Sequence, residues 1–147
     1  MSTDADVAIL RWNGSDWEEP SPEQRGRRIA VDAHGVPWVA TADGSVWRRP
    51  TALGRWERLP ATAIDISAGP TATASLGGVD TPISYVYLAT SDGVRVWNEQ
   101  PASSNGNGLP ARFGHVPTVE AAATRVAVGP DGVPWLLASD GSIHRQL

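Results

Sequence analysis

One phrase of this sequence is written three times. His34 to Arg48 reads HGVPWVATADGSVWR, Asp131 to Arg145 reads DGVPWLLASDGSIHR, and a more divergent copy, YVYLATSDGVRVW, runs from Tyr85 to Trp97. In every copy an aromatic residue (Trp38, Tyr87, Trp135) stands five residues ahead of an aspartate followed by glycine (Asp43, Asp92, Asp140), and the copies lie 49 and 48 residues apart. Repetition at this period implies equal supersecondary units that stack on one another, as in propellers and solenoids, because a single unit cannot bury its apolar face alone.

The rest of each unit reads as strands. Upstream of the phrase, RIAVD (28–32), DISAG (65–69) and RVAVG (125–129) alternate apolar with small or polar residues, the period-two pattern of a half-buried strand. The phrase itself supplies a second strand. A third follows the Asp-Gly turn in SVWRR, VRVWN and SIHRQ, since glycine there provides the positive φ of a tight hairpin. A fourth is marked by an aromatic ahead of a proline in DWEEP, RWERLP and RFGHVP, and proline suits an outer edge strand. The 15 glycines and 12 prolines punctuate the chain at hairpin spacing, and no long 3.6-residue apolar stripe survives between them, so helix is excluded.

These strands predict an all-β chain of 1–147 folded as one domain: a β-propeller of about three four-stranded antiparallel blades, with units at about 28–60, 63–117 and 124–147. The third unit shows three strands, and the segment 9–20 is expected to complete it, as when propeller termini share a blade. AILRW, just before the outer strand near Trp17, resembles an additional third strand and competes with SIHRQ for that place. Three blades leave apolar faces open, whereas propellers generally have four to eight. Two copies about a two-fold axis would close a six-bladed ring, so a homodimer is expected; docking of the open faces on a different protein is the rival. A non-propeller barrel or sandwich is the alternative fold.

Composition narrows the class. A 147-residue chain is long enough to bury a normal core, and without cysteine neither disulfides nor zinc-thiolate sites arise. The start, MSTDADVAILRW, carries no basic patch followed by an apolar run, so no signal peptide or membrane anchor is read and a cytoplasmic protein is the default, although unconventional export would leave no such mark. All 12 basic residues are arginine, as in G+C-rich bacterial coding. Net charge is -4 and the basic cluster Arg25, Arg27, Arg28 is small, which speaks against nucleic-acid binding and for a solvated loop. Two segments depart from the repeat, 69–84 and 98–111; both are rich in small and polar residues and read as surface loops, for partner contact or as tolerated insertions.

No catalytic chemistry is legible. His34, His115 and His144 lack a second ligand at metal spacing, so neither a metal nor a cofactor is expected. No nucleophile elbow or phosphate loop occurs, and Glu18 and Glu19, as strand neighbours, point to opposite faces. Asp43, Asp92 and Asp140 precede glycine and read first as turn residues. An enzyme is not expected.

The seven tryptophans carry what binding signal there is. Trp38, Tyr87 and Trp135 hold equivalent positions and are expected to fill the space between blades. Trp47 and Trp97 lie in third strands at a place His144 takes in the last unit, and Trp12, Trp17 and Trp56 lie toward the outer edges. Indoles flanked by arginine and carboxylates can grip sugars, the ring meeting the C–H face while charged groups bind the hydroxyls, and repetition adds avidity.

The unit RIAVDAHGVPWVATADGSVWRRPTALGRWERLP, residues 28–60, resembles the tectonin-type β-propeller repeat, in which an Ile-x-Val strand, a Gly-x-x-Trp strand, an Asp-Gly turn and an outer Trp strand succeed one another. The resemblance runs from Trp12 to Leu147 and is closest in the first and third units; in the middle one Tyr87 replaces the tryptophan and both loops are longer. Its matching positions are Trp38, Trp47, Trp56 and Trp135, with Arg48, Arg145, Asp43 and Asp140 nearby. The resemblance implies either a lectin-like propeller or an interaction platform. Two functions are therefore expected. One is a non-enzymatic glycan-binding protein using Trp47, Arg48, Trp56, Trp97, Trp12 and Trp17; the other is a structural or adaptor subunit that docks through open blade faces and long loops and binds no sugar.

Overall fold

The computed structural model describes residues 5–70, 72–76, 78–98, 112–115 and 122–145. These residues are all-β, with no helix, in antiparallel strands: β1 (Val7–Ala8), β2 (Arg11–Trp12), β3 (Trp17–Glu18), β4 (Arg25–Gly26), β5 (Arg28–Val31), β6 (Pro37–Ala40), β7 (Ser45–Arg48), β8 (Glu57–Thr62), β9 (Asp65–Ala68), β10 (Ala72–Leu76), β11 (Val79–Ile83), β12 (Tyr85–Thr90), β13 (Gly93–Asn98), β14 (Arg112–His115), β15 (Ala123–Val128), β16 (Pro134–Ala138) and β17 (Ile143–Arg145). No helix among them is long and apolar enough to cross a membrane.

Each repeat unit makes one meander sheet. The first is β5-β6-β7-β8, the second β9-β12-β13-β14, and the third β15-β16-β17. The β6–β7, β12–β13 and β16–β17 hairpins turn at Gly44, Gly93 and Gly141, with φ of 85°, 132° and 85°, a region glycine enters without a Cβ penalty. The aspartate before each glycine is bound within its turn: the Thr41 hydroxyl donates to Asp43, that of Thr90 to Asp92, and that of Ser142 to Asp140.

Because successive strand residues point to opposite sides, every sheet has a leading face, toward the next sheet in chain order, and a trailing face. On the leading face of the first sheet, Ala30, Trp38, Ala40, Val46 and Leu59 pack against Ile66, Val86, Leu88 and Trp97 on the trailing face of the second. On the leading face of the second, Tyr87, Ala89 and Val94 pack against Val126 and Leu136 on the trailing face of the third. β12 thus contributes alternate residues to two cores, and all of it beyond Tyr85 is buried.

The first strands of the three sheets are tied side by side. Arg28 Nε lies 3.5 Å from Asp65 Oδ1, the other oxygen of Asp65 accepts the Val126 amide at 3.0 Å, and Ser67 Oγ accepts the Val128 amide at 3.1 Å. Arg28 is therefore a strand residue in a partly buried ion pair rather than part of a solvated loop, and Arg25 lies in β4.

The N-terminal segment departs from expectation. Residues 9–20 do not extend the third sheet within the chain; β2 pairs with β3 and β1 with β4. Local contacts explain the hairpin. Asn13 Oδ1 accepts the amides of Ser15 and Asp16 at 3.0 and 2.9 Å, Arg11 Nε donates to Glu18 at 2.8 Å, and Trp12 faces Trp17 across the strands. The β1–β4 ribbon lies over the first sheet's trailing face. A Cβ on Gly26 would stand 2.1 Å from Val39 Cγ1, so only a glycine lets this backbone come so close. The 69–84 segment is also more ordered than a loop, since β10 and β11 form a separate hairpin turned at Gly78. Of the 98–111 segment, all but Asn98 lies outside the described residues.

Candidate functional site

The expected ligand residues do not converge on one site. Arg48 and Trp97 lie in a buried junction, Trp12 and Trp17 on an exposed hairpin, and Trp47 and Trp56 apart from both, while an open sheet face holds Trp135, expected as a packing residue.

The buried junction holds Trp38, Arg48 and Trp97. Trp38 is fully buried; its Nε1 donates to Asp32 Oδ2 at 3.0 Å, and its ring meets Trp97 edge-on with centroids 5.7 Å apart. The Arg48 guanidinium lies 5.5 Å from the Trp38 ring centroid and 5.1 Å from that of Trp97, and it pairs with Glu57 of the fourth strand. A cation held by two rings and a carboxylate welds two sheets together and is closed to a sugar. Trp97, expected as a partly exposed ligand residue, is 5% exposed. The register gives the reason. Arg95 opposes Leu88 as Trp47 opposes Val39 and His144 opposes Leu136, so Trp97 lies two residues beyond the place of Trp47, on a trailing face that the first sheet covers. Trp47 and Trp56 are half-buried, and Trp56 Nε1 is buried with no hydrogen-bond partner among the described residues.

The exposed hairpin presents Trp12 and Trp17, with ring centroids 5.6 Å apart at 62°. They are 53% and 61% exposed. Beside them the Arg11–Glu18 pair and Asn13 supply polar groups, and the Arg11 and Asn13 hydrogen bonds hold the Glu18 carboxyl below the usual carboxylate range. This is an apolar, open aromatic surface with charged groups at its rim.

The open face is the leading face of the third sheet. Trp135, expected between blades, is 46% exposed, with Leu137 and Ile143 exposed beside it. Arg145 stacks 5.5 Å from the Trp135 centroid and pairs with Asp131 at 3.2 Å, which helps hold the Asp131 carboxyl below its ordinary range after the larger effect of the Val133 amide. The chemistry of Trp38 and Arg48 is therefore repeated here, and no described residue covers it.

Two clefts were not foreseen. One of about 500 Å³ is lined by the ends of all three first strands, Val31 to Ala33, Ala68 to Pro70 and Val128 to Pro130. The other, of about 800 Å³, lies between β8 and the β12–β13 turn and is bordered by Arg58 and Arg95. Both guanidiniums already have partners, Ser45 Oγ at 3.0 Å and Asp92 at 2.8 Å. Ser142 lies between Asp140 and His144, at 2.6 and 2.7 Å. Its one proton goes to the Asp140 carboxylate, so the histidine donates to the hydroxyl instead of activating it.

No protein-family model matches the chain, and no curated protein matches it. The tectonin resemblance rests on the quoted residues.

Proposed function

We propose that the three stacked sheets are blades of a β-propeller and that the chain is a non-enzymatic interaction module, which docks a further β-sheet on the open face of its third sheet. One observation carries this reading: Trp38 is 0% exposed and Tyr87 8%, each under the next sheet, while Trp135 at the equivalent place is 46% exposed. The side-by-side first strands, and the cleft their ends share, support the blade arrangement, as does the resemblance to tectonin-type repeats. A photoreactive residue at position 143, introduced in the cell that makes the protein, is expected to give a discrete cross-linked product, and one at exposed Ala42 none. Equal labelling from both positions, or none from 143, defeats the reading.

A second reading is favoured by Trp12 and Trp17. Two exposed indoles on the β2–β3 hairpin of the N-terminal segment, with Arg11 and Glu18 at the rim, form a shallow platform for a glycan. Tryptophan fluorescence titrated with a panel of monosaccharides and short glycans is expected to respond at millimolar ligand and to lose the response in Trp17→Ala. Silence at millimolar ligand removes the glycan reading.

A further inference from the structure

We infer that the sheet docked on the third sheet is the first sheet of a second copy of this chain, joined head to tail. The inference rests on reading that open face as a docking surface. It adds which molecule occupies the face and by which of its own surfaces.

The two junctions inside the chain show what a junction requires. The leading face brings an aromatic residue, Trp38 or Tyr87, and the trailing face answers with a branched aliphatic from its first strand, Ile66 or Val126. Each half occurs once more without its complement. Trp135 takes the place of Trp38 and Tyr87 on the third sheet, and Ile29, 53% exposed, takes the place of Ile66 and Val126 on the first. Val31 beside it is exposed as well. Apart from Leu53, every large apolar side chain standing exposed among the described residues lies on the third sheet, on β5, or in the N-terminal segment beside β5. The stack is open on the third sheet at one end and, beside the β1–β4 ribbon, along β5 at the other, and it is covered between them. A second copy carries the missing half of each junction, and a contact between unlike surfaces that closes after two copies buries both at once.

The test uses the whole 147-residue chain and two variants at exposed positions, Ile143→Asp on the open face and Ile29→Asp on the opposite end. Light scattering across a dilution series is expected to show the wild type at about twice 15.6 kDa and each variant alone as a monomer. Circular dichroism checks that both variants keep the strand spectrum. An equimolar mixture of the two variants still holds one intact pair of surfaces, so a species of twice the chain mass is expected to return on mixing. A wild type that stays at 15.6 kDa at every concentration overturns the inference, as does a dimer broken by Ile143→Asp alone or a mixture that stays monomeric. For a monomeric wild type, hydrogen exchange separates the two failures. Amides of β15–β17 that exchange as slowly as those of β12 mean that the face needs no cover, and the docking reading falls too. A third sheet that exchanges much faster leaves the docking reading standing for another protein.

Discussion

Trp38 and Trp135 sit at the same position of the same repeat, each with an arginine over its ring, and their surroundings are opposite. Trp38 lies beneath the second sheet, hydrogen-bonded to Asp32, with Arg48 locked between two indoles and a fourth-strand glutamate. Trp135 has Gly129 where Trp38 has Asp32, its arginine is tied to a turn residue, Asp131, and nearly half of the side chain is open. A repeat therefore specifies chemistry, and the neighbour decides whether that chemistry is a core or a surface.

The largest test of this contrast is truncation of the covered ring. Trp38→Ala should cost about 3–5 kcal/mol in a denaturant titration, because a close-packed junction loses its largest side chain and leaves a cavity. Asp65→Ala should cost about 1–3 kcal/mol, since the Val126 amide loses its acceptor in a buried setting and Arg28 loses its carboxylate. Gly26→Ala attacks the partly covered trailing face of the first sheet. The new methyl must displace Val39, at a cost of about 1–3 kcal/mol, and a larger apolar-dye signal should accompany it. Trp135→Ala, measured at a dilution where the chain is monomeric, should change stability by less than about 1 kcal/mol. A loss equal to that of Trp38→Ala would break the contrast.

The smallest effect belongs to pH. The Thr41 hydroxyl, and after it the Ser45 amide, hold the Asp43 carboxyl down to about 2 from an ordinary 3.8. The folded state thus favours the carboxylate, so this contribution is complete above about pH 4 and fades as the pH falls toward 2. Asp43→Asn should flatten the acid limb of the stability curve in that window, and an unchanged limb would show that the turn bonds contribute nothing.

The strands and turns were legible because their causes are local: period-two alternation in RIAVD and RVAVG, and glycine after each turn aspartate. The N-terminal pairing was not. AILRW fits a third strand and DWEEP an outer strand of any unit, and the Asn13 turn with the Trp12–Trp17 contact decides for the hairpin. Burial of Trp97 and exposure of Trp135 escaped for a different reason. A periodic sequence treats all units alike, whereas a sheet in the middle of a stack has two neighbours and an end sheet has one. The hairpin in 69–84 was hidden by its composition, since Thr, Ala and Gly read as loop although the backbone can pair.

One carboxylate, that of Asp65, reaches back to the first sheet and forward to the third. Its two contacts lie on the first strands, where any change of angle is magnified toward the outer ones. Asp65 thereby acts on alignment: a single carboxylate fixes how the second sheet stands against both of its neighbours. The step from one sheet to the next is set there, within a few ångströms of a single side chain.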